Sequence, residues 1–368
     1  MKFPNDSFWK LSGNSSDLNA LSYAKKVFEI LNQGKSVEMD AQGPNSIELE
    51  NHKQSFLFKT SGTSGVPKTC IHSWSGLRNA YLRLKKYLNI SSSYDAVSCL
   101  PVYHIGGWMQ LVRSWFSGGS VIFSRYKDFA DAKNKNLFHR RFVSLVPTQL
   151  FELLKSDTAI SNLRECKGIF VGGAACDEKL LTKAKQESLP IYLCYGLTET
   201  AGMISVLDKE DFARGATGVG RVMPNVSMQL NAEGRICVNC ESLALMFEGK
   251  QDLSRGWLTT SDIGEVSDGS WKVLYRSDRI INSGGKKVMP ELVENKILDF
   301  PGVRSCRVFG VADEKWGQKV VAHVVPCSTN FQSLKRFLKT RLRDYEIPKD
   351  LVGVKEIKSN SINWKKKA

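Results

Sequence analysis

An α/β fold is predicted for this chain: a largely parallel sheet, a β-rich stretch behind it, and a small separate C-terminal unit. Three observations predict it. Between Trp74 and Cys194, apolar runs of strand length alternate with stretches whose apolar residues recur at helical spacing. Near Gly218 that alternation stops, and short strands divided by turns begin. After Arg276, a helix, two strands and a second helix form a pattern of their own. The 368 residues suffice for two domains with a sizeable core, and the 42 % hydrophobic content is ordinary for a globular chain.

The elements follow in order. Residues 1–55 read as a short αβ lead-in, with a helix from Leu18 to Leu31. Phe56-Leu57-Phe58 is an apolar stretch that ends at a loop rich in hydroxyls and glycine. Trp74 to Leu88 is predicted helical because Leu77, Tyr81, Leu84 and Leu88 share one face. A strand from Ala96 to Leu100, a helix from Trp108 to Phe116 and a strand from Ser120 to Phe123 come next. Phe142 to Val146 has the composition of a buried strand and precedes a helix near Gln149 to Lys155. Strand Gly168 to Val171 ends in Gly172-Gly173-Ala174-Ala175, and helix Glu178 to Glu187 leads to strand Ile191 to Cys194. Ligands on such sheets bind at the C-terminal ends of the strands. Turns at Asn231-Ala-Glu-Gly234 and Ser267-Asp-Gly269 punctuate the β-rich part. Helix Glu291 to Asp299, strands Arg304 to Val311 and Val320 to Val325, and helix Phe331 to Leu342 complete the chain. The expected division is residues 1–275, a hinge at 276–278, and residues 279–368.

Composition narrows the class. The chain carries 52 Lys and Arg against 37 Asp and Glu, a net charge of +15, and residues 277–368 hold 19 of the former against 10 of the latter. Nucleic-acid binding is one reading of such a surface, but neither zinc-finger spacing nor an RNA-recognition motif supports it. Substrates with several phosphates explain the charge equally well, as does solubility. No apolar run reaches the ~18 residues of a membrane span, so no transmembrane segment is expected. Met1 to Asp17 lacks a signal-peptide core. The nine scattered cysteines, an odd number, fit reduced thiols in a cytoplasm. Cys237-Val-Asn-Cys240 has no second pair to complete a zinc site and reads as two cysteines in or near a strand.

Four motifs carry chemistry. Thr60-Ser61-Gly62-Thr63-Ser64-Gly65-Val66-Pro67-Lys68 holds four hydroxyls, two glycines and a lysine. Glycines let a backbone approach an anion, and successive N–H groups with hydroxyl donors cradle phosphate. It is not a Walker A loop, because Pro67 rather than Gly precedes Lys68. A flexible linker is the bland alternative. Tyr195-Gly196-Leu197-Thr198-Glu199-Thr200 follows a strand: an aromatic can stack on a base there, and a hydroxyl with a carboxylate suits a phosphate oxygen and Mg2+. The bland alternative is a turn with a core tyrosine. Gly256-Trp-Leu-Thr-Thr-Ser-Asp262 places a carboxylate after a strand, where it suits the two hydroxyls of a ribose or simply caps a turn. Tyr275 to Glu291 contains the pair Gly284-Gly285 and Pro290 before a helix, which makes a turn in any protein.

Taken together and in this order, the motifs resemble the adenylate-forming superfamily of acyl-CoA synthetases, peptide-synthetase adenylation domains and luciferases. The resemblance runs from about residue 56 to 350. It implies the adenylate-forming fold: a large N-terminal αβ domain with a β-rich subdomain, and a small C-terminal α+β domain on a hinge. It also implies a two-step reaction. A carboxylate attacks the α-phosphate of ATP with Mg2+, and the thiol of coenzyme A then displaces AMP. On that resemblance Thr60 to Gly65 and Lys68 hold the β- and γ-phosphates. Tyr195 stacks on adenine, Gly173 and Ala174 line its other side, and Gly196 borders nucleotide and acid. Thr198 touches the α-phosphate, Glu199 holds the metal, and Asp262 takes the ribose with help from Arg276. Asp278 is the hinge, and Gly284 and Gly285 pack beside pantetheine. The family's C-terminal lysine usually stands in a Gly-Lys context that is missing here; Lys365 is the choice, with Lys366 second.

The acid is read from Leu100-Pro-Val-Tyr-His104-Ile-Gly-Gly-Trp-Met-Gln-Leu-Val-Arg113, which looks like the o-succinylbenzoate–CoA ligases of menaquinone synthesis. Compact versions of the fold occur in that group, and only about 59 residues precede the phosphate loop here. His104 is then in the acid pocket, and Arg113 pairs with a second carboxylate; otherwise Arg113 is a surface arginine on an amphipathic helix. Tyr103, Trp108 and Trp115 either line an aryl pocket or are core. The alternatives are another aryl- or acyl-CoA ligase, or an inactive adenylate-binding homologue. Expected partners are the small carboxylate, ATP and coenzyme A, with no nucleic acid; a homo-oligomer is compatible with this reading.

Overall fold

The computed structural model describes residues 8–11, 18–49, 54–60, 68–247, 253 and 256–357. Its backbone is a twelve-stranded sheet. Six strands run parallel in the order Trp9–Leu11, Val121–Phe123, Ala96–Ser98, Phe142–Leu145, Gly168–Val171 and Ile191–Leu197. Six more continue it antiparallel: Gly202–Leu207, Gly220–Val222, Ser270–Arg276, Leu258–Ser267, Arg235–Cys240 and Val226–Leu230. The β-rich stretch is thus hydrogen-bonded onto the parallel sheet. Cys237 and Cys240 lie in its strand Arg235–Cys240, and all nine cysteines are free.

Helices Trp74–Tyr87 and Ile105–Ser117 pack on one another beside the parallel half. Ser73 caps the first by accepting the Gly76 N–H, and Gly118 ends the second in the left-handed conformation. The predicted face of the first helix is the buried one, with Leu77, Tyr81 and Leu84 inside. Trp108 is completely buried. Its ring lies 5.7 Å from Phe28 and 5.5 Å from Phe56, while Trp115 lies 4.8 Å from Trp74. Trp108 thus belongs to the core, and Trp115 packs against that core while partly buried.

A second sheet contains the hairpin Phe56–Thr60 and Lys68–His72, flanked by Met246–Phe247 and by Ser36–Met39 with Asn45–Ile47. Thr60 pairs with Lys68, so the two ends of the glycine-rich loop stand side by side. The loop joins two antiparallel strands rather than a strand and a helix. A third sheet, formed by Lys286–Val288, Ile281–Ser283, Gly317–Val325, Ser305–Asp313 and Asp350–Gly353, carries helices Pro290–Leu298 and Phe331–Lys339. It buries its own apolar cluster around Val293, Ile297, Val308, Leu334 and Leu338. Among the described residues no helix is long and apolar enough to cross a membrane.

Candidate nucleotide and acid site

Asp262 sits inside strand Leu258–Ser267, not after a strand, and only 4 % of it is exposed. Its register partner on the neighbouring strand is Arg276. The strand runs on past its expected end because pairing with Arg235–Cys240 and then with Ser270–Arg276 carries it through Thr259, Thr260 and Ser261, which lack an apolar repeat. Asp262 Oδ1 accepts from Arg276 Nη1 at 3.1 Å, and its Oδ2 accepts from the Tyr195 hydroxyl at 2.7 Å. Arg276 also donates Nε and Nη2 to the two oxygens of Asp278, at 3.0 and 2.8 Å. One guanidinium therefore joins the proposed ribose ligand to the proposed hinge residue. Burial works against the Arg276 cation, but the Asp278 bonds and the Asp262 charge hold its pKa above the usual range. Burial and the Asp262 charge push the Tyr195 phenol well above 10, so it stays a donor.

Tyr195 lies in strand Ile191–Leu197, which is longer than predicted and bends at a bulge between Tyr195 and Gly196. Gly196 permits this bend. A β-carbon there would come within 2.2 Å of the Gly202 carbonyl oxygen. The next parallel strand, Gly168–Val171, ends beside it, and Gly173 and Ala174 are exposed just beyond that end. Gly173 adopts φ +82°, which favours glycine.

The segment Thr198–Thr200 forms a single turn of 3-10 helix, followed by Ala201 at φ +54°. Each of its carbonyls is tied to a different place. Thr198 O lies 2.7 Å from His72 Nε2. Glu199 O accepts the Ala244 N–H at 2.8 Å. Thr200 O accepts from the Ser242 hydroxyl at 2.7 Å and from Arg83 Nη2 at 3.3 Å. His72 and Arg83 were not singled out in the sequence. Only long-range pairing reveals them, since each sits more than a hundred residues from the turn it holds. Thr198 and Glu199 remain partly exposed. Burial raises the Glu199 carboxyl above its ordinary 4.5, against the opposing charge of Arg276. A carboxylate is the kind of hard oxygen donor that Mg2+ prefers, and a single one suits an ion that keeps waters and phosphate oxygens, so the partly exposed Glu199 fits such a site. Lys68 opens strand Lys68–His72, and its charge is felt at Glu199.

Arg113 lies on helix Ile105–Ser117, and His104 is the residue just before it. His104 is at its N-terminus, open to solvent on one side and 4.5 Å from the Tyr103 ring; partial desolvation lowers its pKa below 6.5. Arg113 is 5 % exposed, so it is not a surface arginine. Its guanidinium lies 5.8 Å above the Phe170 ring, and its Nη2 would be 3.7 Å from a β-carbon placed at Gly202. Among the described residues no carboxylate is paired with it; its Nε has no hydrogen-bond partner, and its charge is felt at the buried Tyr94 hydroxyl.

Gly284 and Gly285 turn between Ile281–Ser283 and Lys286–Val288 at φ +57° and +75°. A β-carbon at Gly284 would come within 2.8 Å of Trp316. They belong to the third sheet and make no contact with the Asp262 cluster in the hydrogen bonds described. The described Thr60 is the last residue of strand Phe56–Thr60. Ser61, Gly62, Thr63, Ser64, Gly65 and Lys365, with Lys366, lie outside the described residues.

The chain matches the model of the AMP-binding enzyme family over residues 13–246 and that of the AMP-binding enzyme C-terminal domain over residues 292–361. It is 27 % identical over 376 residues to the 2-succinylbenzoate–CoA ligase of Bacillus subtilis, covering 96 % of this chain and 76 % of the relative. It is 29 % identical over 325 residues to the enzyme of that name from Bacillus cytotoxicus, covering 83 % and 67 %. Among solved structures it is similar to the o-succinylbenzoate CoA synthetase (MenE) of Bacillus subtilis in complex with the acyl-adenylate intermediate OSB-AMP. The TM-score is 0.71 at 25 % identity, over 83 % of this chain and 66 % of that one. The chain thus spans about three quarters of the first curated relative and just under two thirds of the solved one. With the family model matched over more than half its length, this chain belongs to the AMP-binding enzyme family.

Proposed function

We propose that this chain is an ATP-dependent acid–CoA ligase acting on o-succinylbenzoate in menaquinone synthesis. One observation carries the choice of acid: Arg113 is a buried guanidinium without a carboxylate of its own among the described residues, on helix Ile105–Ser117, which His104 immediately precedes. A cation held out of water calls for an anion. A substrate with a second carboxylate supplies one, and a simple fatty acid does not. The 2-succinylbenzoate–CoA ligases to which the chain is similar support the same choice.

In the first step a carboxylate oxygen attacks the α-phosphorus of ATP, the bond to the β-phosphate oxygen breaks, and pyrophosphate leaves. In the second, the coenzyme A sulfur attacks the acyl carbonyl and AMP leaves. Asp262 accepts the ribose hydroxyls, and Tyr195 and Arg276 hold that carboxylate in place. Tyr195, Gly173 and Ala174 bound the adenine. Thr198 meets the α-phosphate, and the hydroxyls of Thr60 to Ser64 with Lys68 hold the outer phosphates. Bound Mg2+ supplies charge neutralisation, and Glu199 is the residue that would hold it. Residues 1–275 carry the nucleotide site, Asp278 is the hinge, Gly284 and Gly285 border pantetheine, and Lys365 serves the first step. A cytoplasmic location fits these substrates; mass in solution decides between monomer and homo-oligomer.

The test is acid-dependent pyrophosphate release by the full chain. Its metal dependence should carry the signature of Glu199. A proton competes with the metal for this carboxylate, and its pKa is raised. The protonated form therefore persists to higher pH than for an exposed glutamate. The Mg2+ concentration for half-maximal release should rise as pH falls, beginning above pH 4.5. Protonation of ATP adds to that rise in any ATP-dependent enzyme, so the comparison is with Glu199→Gln: the same pH dependence of the Mg2+ requirement in that variant excludes Glu199 as the metal carboxylate.

A further inference from the structure

His72 has no part in the mechanism above. It ends the strand that leaves the phosphate loop and is completely buried. Its Nε2 lies 2.7 Å from the Thr198 carbonyl oxygen. A carbonyl only accepts, so Nε2 carries the proton. Nδ1 has no hydrogen-bond partner among the described residues. The Phe58 ring packs against the imidazole at 6.1 Å, nearly edge-on at 68°. The side chain thus has one donor aimed at one atom. Burial lowers its pKa to about 4, which keeps the ring neutral near pH 7.

The target atom matters. Thr198 opens the turn whose next residue is Glu199, and the other two carbonyls of that turn are held by Ala244, and by Ser242 with Arg83. The turn then passes into left-handed backbone at Ala201, which a residue with a β-carbon adopts only where its surroundings hold it. Of the three attachments, the one from His72 alone comes from the strand that begins with Lys68. We propose that His72 is a positioning residue: its bond to Thr198 fixes the turn bearing Thr198 and Glu199 against the strand leaving the phosphate loop. The two segments that would grip opposite ends of the triphosphate are then held at one spacing. This rests on the assignment of Thr198 and Glu199 made above.

The experiment compares His72→Leu and His72→Phe, which remove the donor in two shapes, with His72→Gln, which keeps an N–H donor. Each full-length variant is assayed for pyrophosphate release and for thioester formation from supplied acyl-adenylate, a step that needs neither Thr198 on the α-phosphate of ATP nor the metal. Both donor-free variants should lose about tenfold in kcat for pyrophosphate release, because the turn is less well placed once that one bond is gone. The acid KM should hardly change, the Mg2+ requirement should rise, and the supplied adenylate should react as in the parent. His72→Gln should regain most of the loss. Parent-like release by His72→Phe overturns the proposal. So do parallel losses in both half-reactions that His72→Gln does not repair. If the parent chain releases no pyrophosphate with any acid, the functional reading has failed instead. Calorimetry of ATP binding with Mg2+ then decides: binding weakened in His72→Leu and His72→Phe but not in His72→Gln supports the positioning role, and equal binding in all three overturns it.

Discussion

Asp262→Ala is expected to cut acid-dependent pyrophosphate release by on the order of a hundredfold or more, as loss of a charged ligand in a closed site does. The carboxylate is the common acceptor of the Tyr195 hydroxyl and of Arg276 Nη1. Removing it takes away the proposed ribose contact and frees Tyr195 to turn from the adenine. It also leaves a buried phenol without an acceptor, at a cost of about 1–3 kcal/mol in stability. Arg276 suffers less, because it keeps both bonds to Asp278 and its side chain is 36 % exposed. Asp262→Asn retains shape and one acceptor and should fall between. Pyrophosphate assays with ATP titration, alongside urea unfolding, separate the two effects. Undiminished release by a folded Asp262→Ala would sink the nucleotide-site assignment.

The second large effect belongs to Arg113. Arg113→Met fills the volume without the charge. It should lower kcat/KM for o-succinylbenzoate roughly a hundredfold, the worth of a desolvated charge-assisted pair. For a plain benzoate the same variant should lose only a few-fold, because no second carboxylate is left unpaired. Comparing the two acids in one variant cancels any general damage to the fold. Equal losses on both would make Arg113 a structural residue that fills the space above Phe170.

Much of the parallel half was legible because its elements carry strong local patterns. Strand Gly168–Val171 and helices Leu18–Asn32 and Trp74–Tyr87 fall where apolar spacing puts them. The short helix Asp157–Arg164 escaped notice, since its apolar residues are few and its start is marked mainly by the Ser156 cap. The run Gly202–Leu207 was missed for another reason. Its strand character depends on pairing with Ile191–Leu197, across a bulge that requires Gly196.

The site divides the same way. Tyr195, Asp262 and Arg276 could be named from their motifs, and the structure brings them within hydrogen-bonding distance. Their mutual contacts could not be read, because Tyr195 and Asp262 are 67 residues apart. The burial of Arg113 was equally hidden. Helical spacing alone does not say whether the face carrying an arginine turns toward solvent or toward the sheet. His72 and Arg83 lie in segments whose sequence reads as ordinary strand and helix, and only the folded chain carries them to the Thr198–Thr200 turn.

The most direct test of the functional proposal is mass detection of the coenzyme A thioester. The full chain is incubated with ATP, Mg2+, coenzyme A and a panel of carboxylates that includes o-succinylbenzoate, benzoate and medium-chain fatty acids. A strong and selective o-succinylbenzoyl-CoA signal that disappears without ATP is expected. Preferential thioester formation from a monocarboxylate would contradict the assignment of Arg113 and of the acid. Absence of both thioester and pyrophosphate with every acid would contradict the ligase reading itself.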